Sequence, residues 1–231
     1  MFDAAEINSS FHRPHRASTY ARWAESVPPR FRFSVKLART ITHDARLAKA
    51  GPLLDEFLEP VRALGIRFGC LLVQLPPKLE WDAPVARRFF KALAVRDVPR
   101  VALEPRHVSW FSPEADEFLA SQGVARVAAH PPRAPGGDAP GGFDGFAYWR
   151  LHGAPRTYYS SYDDAFLAGL AAATADRGRD DWCIFDNAAG NAAAANALAL
   201  IERLEDLHVT QATAVRPRLS RGAGQSPLPG R

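Results

Sequence analysis

Strand-like runs alternate with helix-like segments along most of this chain, and that alternation limits the fold more than any other feature. Short apolar runs with the composition of strands occur at residues 4–9, 31–38, 68–75, 100–106, 125–129, 146–152 and 181–187. Helical patterns lie between most of them, at residues 51–64, 82–95, 112–122, 163–177 and 190–205. Strands that are separated by helices form parallel βαβ units, so the sequence predicts an α/β fold with a parallel sheet.

Two segments fall outside this alternation. Residues 131–145 hold four prolines and five glycines, a composition that excludes a helix. A long irregular loop of this kind is either a lid over a binding site or a solvated insertion, and the sequence leaves both open. Residues 207–231 show no hydrophobic periodicity, which predicts a folded domain over residues 1–206 and a disordered tail after it.

The basic charge of the chain is concentrated in that tail. The formal net charge is +4, and residues 215–231 contribute four arginines and no acidic residue. Residues 1–214 therefore have no net charge. Nucleic-acid-binding domains usually carry a basic face, so the charge gives only weak support for such a function of the folded part.

The cysteines and the N-terminal sequence favour a cytoplasmic protein. Cys70 and Cys183 lie in separate apolar runs, without the paired spacing of a metal or redox site. They are expected to be reduced core thiols. The first residues, MFDAAEINSS, lack the basic and apolar regions of a signal peptide. No apolar run approaches the roughly 20 residues of a membrane span, so we expect no membrane attachment; the oligomeric state is not indicated.

Six segments, in order along the chain, match the pattern of a known protein family. They are FDAAEINSSFHR at 2–13, FSVKLARTITH at 33–43, LLVQLPPKL at 71–79, ALEPRHVSWF at 102–111, YWRLHG with YYSSY at 148–162, and WCIFDNAAGNAAAANAL at 182–198. Over residues 2–205 the chain resembles the YecE-like family, also described as domain of unknown function 72. The resemblance implies a TIM-type β/α barrel and brings no established activity.

The chain departs from the family pattern in three places. Family members begin with a further strand that carries a Gly-Trp-rich turn, whereas here Met1 stands just before the strand that should come second. We therefore expect an incomplete barrel of seven strands that lacks its first strand. His130 stands where an Asp is expected, and Ala188 stands where a Thr is usual.

The barrel implied by the resemblance sorts the residues of each strand into two faces. Alternate residues of a strand face opposite sides, and the outer side of a TIM barrel meets the helices and must be apolar. Placing the apolar residues outward leaves a polar set facing inward near the carboxyl ends of the strands: Glu6, Asn8, Lys36, Gln74, Glu104, Arg106, Arg150, His152 and Asn187. Active sites in this fold are built at those ends.

The charges of this set favour an anionic substrate, a phosphate or a carboxylate. Arginine binds both anions with two parallel hydrogen bonds, and the backbone of the turn at 187–191 could add N–H groups at a helix N-terminus. We expect substrate binding by Glu6, Asn8, Lys36, Gln74, Arg106, Arg150 and Asn187.

Two of the inward residues have the chemistry for acid–base catalysis. Glu104 is expected to be the orienting carboxylate or general base, and His152 its acid–base partner, in a hydrolase or a lyase or isomerase. The simpler alternative is a buried Glu–Arg pair to which His152 is only hydrogen-bonded.

Other functions stay open at this point. The first is a metal-dependent, nuclease-like phosphodiesterase. Its ligands would be Glu6, Glu104 and His152, with His43, His107 and Asp186 on nearby loops, although the neighbouring lysine and arginines oppose a dication. We therefore assign no metal ligand, and the cofactor is unknown. The second is a non-catalytic module that binds a ligand or a nucleic acid, in which Tyr158, Tyr159 and Tyr162 could stack on bases.

Overall fold

The computed structural model describes residues 2–175, 177 and 180–214. The helices are α1 (Ala17–Glu25), α2 (Gly51–Val61), α3 (Ala83–Ala94), α4 (Pro113–Ser121), α5 (Asp164–Ala175) and α6 (Ala192–Ala214). The strands are β1 (Ala4–Ile7), β2 (Arg32–Lys36), β3 (Phe68–Gln74), β4 (Val101–Glu104), β5 (Val124–Arg126), β6 (Ala128–His130), β7 (Gly141–Gly142), β8 (Tyr148–Leu151) and β9 (Trp182–Phe185). Every strand and helix that the sequence predicts is present.

The strands form two parallel groups that meet at one break. The first group has the order β1-β2-β3-β4-β5, with the short β7 antiparallel to β5, and the second has the order β6-β8-β9. Strands β5 and β6 correspond to the single strand predicted at 125–129, which is interrupted at Val127. The Val127 N–H still donates to the Leu103 carbonyl at 2.8 Å. The backbone array therefore continues across the break.

The first and last strands of this array are not paired with each other. Strand β1 pairs with β2, and β9 pairs with β8, but within the described residues no backbone pairing joins β1 to β9. The array is nevertheless strongly curved, because the Tyr148 hydroxyl of β8 reaches the Ser34 hydroxyl of β2 at 2.8 Å. A parallel β/α array is established, and its closure into a barrel is not observed.

The two faces of the curved array have different packing. Val35, Leu71 and Leu103 lie on the outer face and pack against the helices in the main hydrophobic core. A second apolar cluster fills the inside, where Cys70, Leu72, Ala102, Tyr148 and Trp182 are in contact. The interior is thus apolar along the middle of the strands, and the polar residues that the alternation turns inward lie above it.

Local sequence explains where two of the helices begin. Asp82 precedes α3, and its side chain accepts the Val85 N–H at 2.9 Å. Ser112 precedes α4, and its hydroxyl accepts the Ala115 N–H at 3.3 Å. Each cap satisfies a backbone donor that the helix itself leaves free.

Helix α1 is the one that the sequence does not predict. Among its residues only Tyr20 is buried, and Trp23 packs against the main core from a partly buried position. So few apolar residues give no extended stripe of helical period. The helix therefore depends on tertiary packing of these two rings.

Helix α6 continues past the predicted end of the domain at residue 206. It runs to Ala214, because residues 207–214 contain no proline or glycine and Leu204 and Leu207 still pack against the third apolar cluster, around β8. The rest of the predicted tail, 215–231, lies outside the described residues. Neither α6 nor any other helix of the described part is long and apolar enough to cross a membrane.

The proline- and glycine-rich segment 131–145 is held to the body of the protein by Arg126. This arginine is buried and pairs with Asp116 of α4, with its Nε 2.7 Å from Oδ1. Its Nη1 also donates to the carbonyls of Gly136 and Ala139, at 3.3 and 3.4 Å. Its guanidinium lies over the ring of Phe111, 4.8 Å from the centroid. Together with the backbone pairing of β7 to β5, this side chain therefore fastens the segment to α4 and β5.

Replacing Arg126 with alanine should lower the free energy of unfolding by about 1–3 kcal/mol, because two loop carbonyls and a carboxylate lose their donor. Urea denaturation monitored by circular dichroism measures the change. Arg30→Ala is the matched control, since Arg30 pairs with Asp3 on the surface, with both side chains more than 60% exposed. An equal and small effect of the two substitutions would contradict the assigned role.

Candidate functional site

Polar side chains converge at the carboxyl end of the parallel array. Each comes from the last or next-to-last residue of a strand: Glu6 of β1, Lys36 of β2, Gln74 of β3, Glu104 of β4 and Arg150 of β8. His152 and Asp186 follow directly after β8 and β9. Because parallel strands present their carboxyl ends at one edge, seven side chains that are distant in sequence become neighbours.

Arg150 lies at the centre of this group. Its Nη2 is 2.6 Å from Glu6 Oε1 and 3.1 Å from Asp186 Oδ2, and its Nη1 is 2.7 Å from Glu104 Oε2. The side chain is only 1% exposed. Burial alone would lower the pKa of Arg150, but the three carboxylates raise that pKa well above its ordinary value. Three partners compensate the cost of burying this charge.

Glu104 is equally buried and contacts three cationic side chains. Besides Arg150, its Oε1 lies 3.1 Å from Arg106 Nη2 and 3.3 Å from His152 Nε2. Burial opposes ionisation, but the Arg150 charge, the His152 contact and the Arg106 charge hold the pKa of Glu104 well below its ordinary value. Glu104 is therefore a carboxylate at neutral pH and a weak base.

His152 lies between two carboxylates. Its Nδ1 is 3.1 Å from Asp186 Oδ2 on one side, and its Nε2 is 3.3 Å from Glu104 Oε1 on the other. The second contact is not directed as a hydrogen bond, so the buried Nε2 has no hydrogen-bond partner in the described part of the chain. Burial would lower the pKa of His152, but Asp186 and Glu104 together raise it.

These six residues form one balanced group, which we call the ion network: Glu6, Glu104, Asp186, Arg106, Arg150 and His152. Three carboxylates face two guanidinium groups and one imidazole, so protonation of His152 makes the group electrically neutral. Burial raises the pKa of the Asp186 carboxyl, but His152 and Arg150 outweigh that effect and lower it. The charge balance and the raised pKa of His152 both favour the protonated imidazole.

Lys36 lies at the edge of the ion network and differs from its neighbours. Its Nζ is 4.4 Å from the centroid of the Phe11 ring. Within the described residues this ammonium makes no hydrogen bond or ion pair. Burial and the charge of Arg150 lower the pKa of Lys36 from 10.5 to about 8, against the opposite effect of the nearby carboxylates.

The remaining residues of the predicted set divide into two groups. Gln74 joins the ion network, since its Oε1 accepts from Arg106 at 3.2 Å and from Arg150 at 3.3 Å. Asn8 makes a longer contact of 3.5 Å with Arg150. Asn187 lies apart: its Nδ2 donates to the Ser160 carbonyl at 2.9 Å and to Asn196 at 2.8 Å. It connects two loops and contacts none of the charged residues.

Two of the five backbone N–H groups of the turn at 187–191 already donate within the protein. The Ala189 N–H donates to the Tyr158 carbonyl at 3.1 Å, and the Asn191 N–H donates to the Ala188 carbonyl at 3.0 Å. A Cβ added to Gly190 would lie 2.3 Å from the Tyr159 carbonyl oxygen. The loop after β8 therefore covers this turn, and those N–H groups are already used.

Sequence reasoning missed two members of the site. The sequence predicts Asp186 only as a possible metal ligand on a loop, because it places Asn187 on the inner face. In the structure Trp182 and Ile184 of β9 pack inside, so Asp186 turns inward and contacts both Arg150 and His152. Tyr148 was not considered, yet its hydroxyl lies 2.8 Å from Glu6 Oε2. The period of two along β8 places Tyr148 on the same face as Arg150, and this signal could have identified it.

The arrangement of the carboxylates bears on metal binding. Within the described part of the chain, no three His, Cys, Asp or Glu side chains are arranged to hold a metal ion. The guanidinium of Arg150 lies among the three carboxylates that a dication would need. His43, another candidate ligand, instead packs against Phe11 at a ring distance of 5.0 Å and contacts the Thr42 hydroxyl.

The site is closed from above, and an open cavity lies at the opposite end of the array. That cavity has a volume of about 1070 Å³ and is lined by arginines and aspartates at or just before the first residues of the strands, including Arg32, Arg100 and Asp180. Glu104 and His152, by contrast, are each 1% exposed. Access to the ion network therefore runs past its more exposed members, Asp186 and Arg106, and past Lys36.

The fold and this cluster define a class of protein: a parallel β/α array with a buried ion network at the carboxyl ends of its strands. The model of the family described as "Protein of unknown function DUF72" matches residues 1–220. The chain belongs to this family, as the sequence motifs predicted.

Curated relatives and solved structures agree with that assignment. The chain is 27% identical over 124 residues to the UPF0759 protein YecE of Escherichia coli K12. The matched region covers 53% of this chain and 45% of the relative, so it spans less than half the length of YecE.

Two crystal structures of DUF72 family proteins share the fold. The one from Enterococcus faecalis V583 has a TM-score of 0.75 at 20% identity, and covers 88% of this chain and 85% of its own. The one from Thermotoga maritima MSB8 has a TM-score of 0.73 at 23% identity, with the same coverage.

Proposed function

We propose that this protein is an enzyme that acts on a small anionic substrate at the carboxyl end of the array, with His152 as general acid. One observation carries the proposal: an imidazole is held between two carboxylates directly after β8, beside a lysine that has no anionic partner in the described residues. Perturbed titratable groups that cluster at strand ends are typical of active sites in β/α folds.

Each charged residue has a separate role in this proposal. Lys36 and Arg106 attract the anionic group of the substrate. Arg106 makes its contacts to Glu104 and Gln74 through Nη2 alone, and its side chain is 14% exposed. Arg150 is enclosed by three carboxylates, so it organises the ion network and does not bind substrate.

Glu104 acts through His152 in this scheme. A carboxylate that contacts three cations is a poor base near neutral pH, which favours the orienting role over that of a general base. It keeps His152 protonated, and an imidazolium can deliver a proton to a developing anion or a leaving group. Asp186 holds the other ring nitrogen and fixes the orientation of the imidazole.

Substrate must displace the cover over His152. The ring of Tyr158 lies edge-on to the imidazole, with 5.8 Å between the ring centroids, and Tyr158 is 40% exposed. Displacement of this half-exposed side chain would open the ring edge to a ligand. We place the residue in the entrance to the site.

We further propose that the array is an incomplete TIM-type barrel of a cytoplasmic protein. The contact between Glu6 of β1 and Arg150 of β8 supports the barrel, because it spans the inside of the array. The two free cysteines, Cys70 and Cys183, support a reducing compartment.

The nuclease-like alternative is less well supported. A dication would have to separate Arg150 from Glu6, Glu104 and Asp186, and buried charges that lose their partners cost several kcal/mol each, roughly. Net-neutral composition outside residues 215–231 likewise gives little support to a nucleic-acid-binding module.

Phosphate or sulfate should raise the melting temperature saturably above its value in chloride at equal ionic strength, because a bound anion stabilises the folded state by mass action. Lys36→Met and Arg106→Met should each remove most of this difference. Lys91→Met is the matched control, because Lys91 is exposed on α3, and it should keep the full effect. Equal melting temperatures in sulfate and chloride would argue against the anion site.

Lys36→Met should by itself raise the free energy of unfolding at pH 7 by about 1–2 kcal/mol, because a half-buried ammonium without a partner destabilises the folded state. The pKa of Lys36 is lower in the folded state, about 8, than its ordinary 10.5. The wild type therefore gains stability as the pH rises through this range, and the advantage of the variant should shrink. Urea titrations at several pH values measure both effects; a variant that is less stable than the wild type at pH 7 would contradict the assigned environment.

A panel of metabolites tests the proposed role of His152 in catalysis. Wild-type protein should convert at least one compound in a panel of phosphorylated and carboxylated metabolites, followed by mass spectrometry. His152→Asn should abolish that conversion while it preserves the fold and the sulfate effect. A variant with full activity would remove His152 from the mechanism.

A further inference from the structure

The amine of Lys36 is the one basic group of the cluster that the described residues leave without an anionic partner. Glu6, Glu104 and Asp186 are close enough to affect it electrostatically, but each of them is bound to Arg150. The Nζ instead lies over the face of Phe11.

This environment differs from that of the other lysines. The chain has four lysines, and Lys49, Lys78 and Lys91 are all exposed. Lys36 is half-buried, with an aromatic ring beneath its amine and a guanidinium close by. Partial desolvation and a neighbouring cation both favour the neutral amine, which is the nucleophilic form.

We propose that Lys36 is a nucleophile that forms an imine with the carbonyl group of an aldehyde or ketone substrate that also carries a carboxylate or a phosphate. The inference rests on the proposed function, because it uses the same site and assigns the class of its substrate. The geometry supports it, since the amine ends at the carboxyl edge of β2, within the group of strand ends that includes Arg106 and His152.

The step balances without any added oxidant or reductant. The lone pair of Nζ attacks the carbonyl carbon, the carbonyl oxygen takes up a proton and the nitrogen loses one, which gives a neutral carbinolamine. A second proton then converts the hydroxyl to water, which leaves as the carbon–nitrogen double bond forms. The resulting cationic imine can withdraw electrons from a neighbouring bond of the substrate.

Arg106 can bind the anionic group of the substrate. Arg106 lies at the more open side of the ion network, and its Nη1 makes no hydrogen bond with the described residues. It can bind the carboxylate or phosphate while Lys36 reacts with the carbonyl carbon. A compound with only one of the two groups should therefore react less selectively.

Reductive trapping tests the proposal. Wild-type protein is incubated with glyoxylate and cyanoborohydride, and peptide mapping by mass spectrometry measures modification at each lysine. Lys36 should react at least about tenfold faster than Lys49, Lys78 or Lys91, since its lower pKa leaves more free amine, and should gain the mass of the probe less one oxygen. Acetaldehyde, which lacks the carboxylate, should show a smaller preference for Lys36.

Lys36→Arg separates this inference from the proposed function. The variant keeps a cation at this position but has no nucleophilic amine, so it should retain the stabilisation by sulfate and lose the glyoxylate adduct at position 36. If wild-type Lys36 reacts no faster than the exposed lysines, the imine is overturned. If sulfate nevertheless stabilises the protein, the anion site stands without the imine. An adduct at Lys36 without any sulfate effect would support the nucleophile and overturn the anion site.

Discussion

Replacing Arg150 with methionine should lower the free energy of unfolding by about 3–5 kcal/mol, a large part of the stability of an ordinary domain. The substitution keeps much of the side-chain volume but leaves Glu6, Glu104 and Asp186 without the cation that binds all three. Urea denaturation at pH 7 measures the loss. If the variant does not fold at pH 7, its recovery at lower pH, where carboxylates take up protons, gives the same information.

Two further variants test whether the loss of stability comes from the buried ion pairs of Arg150. Arg30→Met removes a guanidinium from a surface ion pair and should change stability by less than about 1 kcal/mol. The double variant Arg150→Met/Glu6→Gln should recover part of the loss, because one of the unpaired buried charges is removed with its partner. If Arg150→Met were as mild as Arg30→Met, Arg150 would not be the centre of the ion network.

Replacing Glu104 with glutamine should cost about 2–4 kcal/mol near pH 6 and should lower the pKa of His152. Glu104 contacts Arg150, Arg106 and His152, so its loss leaves these cations with less compensating charge. The His152 pKa can be followed directly through the imidazole proton signals in an NMR titration.

The direction in which stability changes with pH follows from the shifted pKa values of His152 and Glu104. The pKa of His152 is raised in the folded state, so its contribution to stability is complete below the unfolded value of 6.5 and is lost as the pH rises through the folded value. The pKa of Glu104 is lowered, so its contribution is present above 4.5 and is lost as the pH falls through the folded value. The difference between wild type and Glu104→Gln should therefore be largest between about pH 4.5 and 6.5.

A second variant, His12→Gln, is the control for Glu104→Gln. His12→Gln changes an exposed loop histidine and should leave stability within about 0.5 kcal/mol at every pH. If Glu104→Gln changed stability equally at pH 5 and pH 9 and left the His152 titration unchanged, the contact between Glu104 and His152 would have no electrostatic consequence.

The ion network stabilises the folded protein, whereas Lys36 destabilises it, and this difference indicates which residue serves a function. Arg150 and Glu104 stabilise one another, so their substitution lowers stability as well as any activity. Lys36 is held in an unfavourable environment, so its removal should stabilise the fold. A side chain that destabilises the folded protein at its native position is typical of a functional site. Lys36 is therefore the most informative position for activity measurements.

The sequence alone predicts the class of fold and, for most strands, the face on which a residue lies; it fails for β9, where both faces are apolar. The period of two is a property of the extended backbone, so the sequence predicts that Glu6, Glu104 and Arg150 face the inside of the array. The N-caps Asp82 and Ser112 act within a few residues of the chain, so the sequence alone predicts them as well. Parallel strands end at one edge, which brought Glu104 and His152 into one predicted site.

The pairing of charges, and the question of which charges remain available, depend on how the whole chain packs. Arg150 and Asp186 are distant in sequence, and their contact depends on how strongly the array curves, which no local pattern records. The same curvature encloses Arg150 among three carboxylates and leaves Lys36 without one. Asn187 is predicted to face inward, but Trp182 and Ile184 are the β9 residues that pack inside the array. The alternation therefore turns Asp186 inward and leaves Asn187 to bind Ser160 and Asn196. Periodicity specifies the direction of a side chain, whereas its partner across the interior is set by packing of the whole chain.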